Sequence, residues 1–200
     1  IKIPNCEWIT DEGLEFYQNF TSHSPMFQHF HFCCTGALAV EAAIKTAMEA
    51  TGKWGIVSLL NSFHGINGYA SFVSGRFSPV DNHLEGFPEV EWCRRTDLLH
   101  EIEWYLRAES VAALLIEPIQ STYGDYYLDR DSLYQVRGIC DKVNVPLIFD
   151  EIQTGFGTTG KMWYFQYLGI EPDMVFFGKK SQVSGIMVKE KFGKIFKSPL

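Results

Sequence analysis

The stretch Ile148–Gly160, IFDEIQTGFGTTG, runs an apolar segment into an acid at Asp150, and Val175–Gly185, VFFGKKSQVSG, runs another into the adjacent lysines Lys179 and Lys180. Short apolar runs rich in branched and aromatic residues, bounded by turn formers, read as buried strands. In an open α/β sheet, ligands bind outside the carboxyl ends of the strands. An acid and an amine delivered to neighbouring strand ends point to cofactor chemistry. The amine is a nucleophile toward a carbonyl, and the acid can hold a cationic heterocycle.

Working outward, the pattern predicts helices over about Asp11–Phe20 (N-cap Thr10), Ala37–Ala50 (stopped by Gly52), Leu98–Arg107, a span from an Asp129 or Asp131 cap to about Lys142, and Lys161–Leu168. Strands are expected at His29–Cys34, Trp54–Leu60, Val111–Ile116, Pro146–Asp150 and Met174–Gly178, with Ile186–Val188 as a further candidate. NSFHGINGY reads as a turn, and the Gly-, Pro-, Asn- and Asp-bearing stretch Ser74–Trp92 as a loop. Strands alternating with helices imply an α/β fold, a mostly parallel sheet with helices on both faces. The near-continuous apolar runs VAALLI, PLIF and MVFF fit strands buried on both sides.

The chain has 200 residues, 46% of them hydrophobic and 15% aromatic, which suits one globular domain with ample core. Its formal charge of −7 disfavours nucleic acid or an anionic membrane as partner. No apolar stretch approaches the roughly 20 residues needed to cross a bilayer, and Ile1–Thr10 lacks the features of a cleavable leader. The five cysteines are odd in number and irregularly spaced, as expected of free thiols in a cytoplasmic protein. The opening on Ile1 and the stop after Leu200 suggest an internal fragment of something longer.

A free lysine has a pKa near 10.4, so about one in a few thousand is a neutral nucleophile at pH 7. A desolvated pocket at the end of a buried strand would lift that penalty for Lys179. The alternative is that both lysines mark where the strand meets solvent. Asp150–Glu151 is either a ring-nitrogen acid with a neighbour, a loop acid pair, or part of a divalent metal site that lacks further oxygen ligands at an obvious spacing. In CCTGALAVEAAIKTA the small residues Thr35, Gly36 and Ala37 stand where a strand turns into a helix, so backbone N–H groups could face an anion. Phe63, in Phe63–His64–Gly65, could stack on a planar ring or be an ordinary core aromatic. Strand alternation places His29, His31 and Cys33 on one face, but no second ligand cluster stands at zinc spacing, and no metal site is assigned.

Taken in order, these segments resemble the class-III pyridoxal-phosphate aminotransferases of fold type I, over about Phe32 to Val188. TGALAVEAA is similar to the phosphate loop, FHG to the ring-stacking segment, and VAALLIEPIQ to the strand before the substrate acid. FDEIQTGFGTTG is similar to the segment of the pyridine-nitrogen acid, and PDMVFFGKK to that of the Schiff-base lysine. Within the family, FGKKSQVSG preceded by EPIQ is most similar to L-lysine 6-aminotransferases, with 4-aminobutyrate aminotransferases as close relatives. The resemblance implies pyridoxal 5′-phosphate as cofactor and Lys179 as catalytic residue through a Schiff base. It gives Asp150 to the ring nitrogen, Gln153 to the ring hydroxyl, Phe63 to the ring face, Gly36 and Ala37 to the phosphate, and Glu117 to the substrate pocket. It also implies transfer of a terminal ω- or ε-amino group from an L-lysine-like donor to a 2-oxo acid such as 2-oxoglutarate, by a cytoplasmic homodimer.

The chain departs from that pattern in three places. Ile66 stands where the lysine 6-aminotransferases carry an arginine for the substrate carboxylate. Ser121–Asp125, STYGD, replaces a glycine-rich run and adds bulk at Tyr123. Residues 1–200 correspond to part of the cofactor-binding large domain, with the family's C-terminal small domain absent. Two other readings stand beside this one: a non-catalytic or truncated homologue, and an aminomutase or decarboxylase on the same scaffold.

Overall fold

In the computed structural model, which describes residues 10–75 and 87–197, the apolar runs of the sequence become the strands of one sheet. In chain order the elements are α1 (Asp11–Ser22), β1 (His29–Cys33), α2 (Gly36–Thr51), β2 (Gly55–Leu59), α3 (Gly68–Val73), β3 (Val90–Cys93), α4 (Leu98–Tyr105) and β4 (Val111–Ile116). They continue with β5 (Ile119–Gln120), β6 (Tyr126–Tyr127), α5 (Arg130–Val143), β7 (Leu147–Asp150), α6 (Tyr164–Leu168), β8 (Met174–Phe177) and β9 (Ser184–Val188). The seven-stranded sheet has the order β1-β9-β8-β7-β4-β2-β3. Pairs β2–β3, β2–β4, β4–β7 and β7–β8 are parallel, and β9 alone runs against its neighbours. Strands β5 and β6 form a small separate hairpin.

The central strands β2, β4, β7, β8 and β9 are buried along their whole length, because apolar layers cover both faces. On one side α2 lays Ala39, Val40, Ala43, Ile44 and Ala47 against Ile56, Ala113, Ile148 and Phe176. Its alanines propagate the helix well and let the backbone come close to the sheet. Thr35 starts the helix by accepting the Leu38 N–H at 3.3 Å, and Gly52 ends it at φ 68° with its N–H on the Met48 carbonyl. On the other side Leu98 and Ile102 of α4, with Leu133, Val136 and Cys140 of α5, join an aromatic group at Phe149, Trp163 and Phe177. Phe20 brings α1 onto that group, 4.8 Å from the Phe177 ring. Fully burying one such side chain stabilises the fold by about 1.5–3 kcal/mol.

Four elements, α3, β3, β5 and β6, are absent from what the sequence pattern predicts. The turn-like NSFHGINGY runs into α3, and the expected loop contains β3. Helix α3 is six residues long and Asn67 makes no side-chain cap, so it is held by packing of Ala70, Phe72 and Val73. Strand β3 is an edge strand of four residues paired only with β2, too short for a periodic signal. The rest of the expected loop, 76–86, lies outside the described residues.

Of the two histidines of β1, His29 has structural partners. His29 bonds Glu190 through Nε2 at 2.8 Å and stacks on Phe196, and no group of residues able to hold a metal occurs among the described residues. The four described cysteines are free thiols. No helix among the described residues is long and apolar enough to cross a membrane.

Candidate active site

The parallel strands end on a common edge, and the chain leaves each end carrying a polar group. Strand β7 closes on Asp150, which lies opposite Phe176 of β8. Two residues after β8 comes Lys179, Glu117 directly follows β4, and the segment 61–65 follows β2. The N-terminus of α2 borders the same space. Together Gly36, Ala37, Phe63, Glu117, Asp150, Gln153 and Lys179 line one open cleft of ≈ 150 Å³, with His64, Gly65, Thr122 and Ile152 completing its wall. Every site residue expected from the sequence is therefore in one place, though the chain separates them by up to 143 positions, from Gly36 to Lys179.

Asp150 is 4% exposed and held from two directions. His64 Nδ1 lies 2.7 Å from Oδ2, and the Ile152 N–H donates to Oδ1 at 2.9 Å. A carboxylate only accepts, so the proton of that contact sits on Nδ1. His64 is itself buried, with Ser58 Oγ 3.4 Å from its Nε2 and the Ser74 hydroxyl accepting its backbone N–H at 2.9 Å. This histidine was not assigned a role from the sequence. The available signal was a polar aromatic next to Gly65 at a buried strand end.

The acid pair resolves into two unrelated jobs. Glu151 does not face the cleft. It is fully buried and accepts the Tyr164 and Phe165 N–H groups and the Thr154 hydroxyl, each at 2.8 Å, which caps α6. Burial pushes its carboxyl up to about 7, with those donors pulling the other way.

The two lysines also part. Lys179 sits at φ 56°, in the left-handed region that a side-chain-bearing residue adopts at a cost of roughly 1–3 kcal/mol. Its carbonyl accepts the Gln182 N–H at 3.0 Å and the Gln182 side-chain amide at 3.1 Å, closing the tight turn into β9. Lys180 instead donates its ammonium to the Gln153 carbonyl, so only Lys179 reaches the cleft. Burial lowers the Lys180 pKa, and the charge of Lys179 adds to that. One expectation is corrected: Lys179 is exposed in this chain, not desolvated. It stands one residue beyond buried Gly178, where the turn carries it to the mouth of the cleft.

Glu117 is 3% exposed and accepts the Phe63 N–H at 3.2 Å, with the Ser121 N–H near enough to favour its charged form. Burial raises its pKa to about 8, with the nearby Asp150 charge adding to the shift and the two N–H groups and Lys179 opposing it. At the other end of the cleft, helix geometry leaves the Gly36 and Ala37 N–H groups without intrahelical acceptors. A Cβ on Gly36 would come within 2.8 Å of Ile152 Cδ1, so a larger residue there would have to shift the end of that side chain. Gly65, at φ 134°, is packed against Ala70 and Ala37, and a Cβ there would lie 3.0 and 3.2 Å from their Cβ atoms.

The cleft thus offers an amine at its mouth, a twice-bonded buried carboxylate, an aromatic wall and a helix N-terminus. That donor set suits a flat heterocycle with a cationic ring nitrogen, a carbonyl carbon and an anionic substituent.

Comparison with known proteins agrees. The family model described as aminotransferase class-III matches residues 6–195. An L-lysine-epsilon aminotransferase of Amycolatopsis lactamdurans is 32% identical, covering 86% of this chain and 45% of its own length. An acetylornithine aminotransferase of Streptococcus mutans serotype c is 35% identical, covering 82% of this chain and 44% of its own length. The solved lysine aminotransferase of M. tuberculosis superposes with a TM-score of 0.82 at 28% identity, over 96% of this chain and 51% of that one. The chain spans about half the length of the relatives it matches.

Proposed function

The chain belongs to the class-III aminotransferases, and from that premise we propose that it is part of the cofactor-binding large domain of a pyridoxal-phosphate-dependent transaminase. The observation that carries this reading is the meeting of Lys179, Asp150, Phe63 and the α2 N-terminus around one cleft. When bound there, the cofactor supplies a carbonyl that condenses with amines and a ring that withdraws electrons from the adjoining carbon.

The residues divide the work. Lys179 would provide the amine that holds the cofactor's carbonyl carbon, and its Nζ, once freed, would hold the proton taken from the substrate. Asp150, kept in place by His64 and Ile152, pairs with the ring nitrogen and keeps it protonated. Phe63 covers a ring face, Gln153 meets the ring hydroxyl, and Gly36 and Ala37 hold the phosphate through their N–H groups. Glu117 borders the donor's side.

The reaction is transfer of a terminal ω- or ε-amino group, from an L-lysine-like donor, to a 2-oxo acid such as 2-oxoglutarate. The names of the lysine-epsilon and acetylornithine relatives support a terminal amine equally well. A homodimer is the assembly proposed, with Leu38 of α2, 47% exposed, as apolar surface for a second copy. Free thiols support a cytoplasmic location.

The test is trapping with borohydride after addition of pyridoxal phosphate. The parent protein and Lys180→Ala should give a stable adduct, and Lys179→Ala should give none. Equal trapping in Lys179→Ala would refute the assignment.

A further inference from the structure

We propose that Arg95 is a positioning residue that fastens the β5–β6 hairpin over the cleft and thereby fixes Glu117 and Thr122 as its donor-side wall. In naming that wall the donor's side, the proposal rests on the function given above. The hairpin cannot hold itself. Its strands pair only Ile119 with Tyr127 and Gln120 with Tyr126, and a two-stranded hairpin alone is marginal in water. Its turn also adopts the left-handed region at both Gly124 (φ 99°) and Asp125 (φ 56°), where a non-glycine residue is strained.

Yet this hairpin supplies Thr122 to the cleft wall and sets the Ser121 N–H near Glu117, where it favours the charged form. Something outside must hold it. Arg95, in the turn Arg95–Asp97 after β3, carries its guanidinium carbon 3.5 Å from the Tyr126 ring centroid and 4.8 Å from that of Tyr123. The same guanidinium donates to Gln120 Oε1 at 2.9 Å, and Gln120 Nε2 donates to the Leu60 carbonyl at 2.9 Å.

Leu60 follows β2 and leads on to Phe63, whose N–H donates to Glu117. Gln120 therefore ties the hairpin to the β2 end, and one planar cation holds Gln120 and both tyrosine rings in place. A lysine could keep the charge but not the ring stacking and the fork to Gln120 together. The bulk at Tyr123 thereby acquires a structural use: it is a ring for Arg95 to cover.

Hydrogen exchange and donor kinetics test this on the purified protein. In Arg95→Ala the Phe63 and Ser121 amides should exchange at least tenfold faster, while those of β4 and α5 hold parental rates. The KM for an amino donor in the half-reaction should rise at least fivefold, with kcat and pyridoxal phosphate affinity within twofold of the parent. Tyr126→Ala should reproduce both effects, and Tyr126→Phe, which keeps the ring face, neither. Unchanged exchange at Phe63 and Ser121, a general rise including β4 and α5, or faster exchange with unchanged KM would each overturn the proposal. If the parent gives no adduct on Lys179 in the borohydride test, the transaminase reading fails, and exchange at the two amides alone decides whether Arg95 positions them.

Discussion

Replacing His64 with leucine isolates the contact that aims Asp150. The wild-type contact is 2.7 Å long and both side chains are buried, at 0% and 4% exposure. A hydrogen bond to a charged group contributes about 1.5–3 kcal/mol, and leaving one member of a buried ion pair without its partner costs about 3–5 kcal/mol. Asp150 keeps the Ile152 N–H at 2.9 Å, so the loss belongs near the lower figures, about 2–3 kcal/mol. In a chain of this size each kcal/mol is roughly 2–4 °C in Tm, which gives a drop of about 4–12 °C. Denaturant unfolding of His64→Leu, Asp150→Asn and the double variant completes a cycle. The coupling energy should be about 1.5–3 kcal/mol, because each single change strands the other group. Coupling below about 0.5 kcal/mol would mean that the two groups are held independently, and the account of Asp150 would fail.

Two further substitutions report on other parts of the site. Gly65→Ala must place a Cβ 3.0 Å from Ala70 and 3.2 Å from Ala37 at φ 134°, so it should cost about 1–3 kcal/mol and lower pyridoxal phosphate affinity, measured by thermal unfolding and cofactor titration. For Glu117 the folded pKa of about 8 lies above the ordinary 4.5, so the native state holds this proton more tightly. Its contribution to stability is full below pH 4.5 and is lost as pH rises through 8, by at most about 1.4 kcal/mol per pH unit. Glu117→Gln should therefore gain on the parent as pH rises from 5 to 8.5 in denaturant midpoints, and a constant difference would refute the shift. Glu151, pushed up to about 7, slopes the same way in both proteins and cancels from that difference.

What the sequence made legible follows from the range over which each signal acts. The long α2 and the buried strands β4, β7 and β8 announce themselves through local periodicity and caps, and they stand within two residues of the expected ends. Helix α3 and strand β3 have no such local pattern, since packing and one pairing decide them. At the site, Asp150 and Lys179 were legible because strand ends carry ligands. The His64 partnership joins positions 86 residues apart, and Arg95 touches the hairpin across 25 or more, so neither has a signal in local spacing. Exposure of Lys179 was one of two readings the sequence left open, because the left-handed turn and not residue type decides it.

The choice of Asp150 over Glu151 rests on register more than on chemistry, since both are buried carboxylates one residue apart. Side chains of successive strand residues point to opposite faces. Pairing of Asp150 with Phe176 sets the strand so that the last side chain meets His64 and the cleft, and the next turns to the α6 N-terminus. Shifting β7 by one residue would offer Glu151 to the cleft and leave α6 without its cap. It would also swap Ile148 and Phe149 between the two apolar layers they now fill, and mismatched packing of that kind costs about 1–3 kcal/mol. The same burial that stabilises the sheet therefore selects which acid faces the cleft. Because β9 must then turn back against β8, the connection from Gly178 to Ser184 is short, and its first side chain, Lys179, is delivered beside the acid that register has selected.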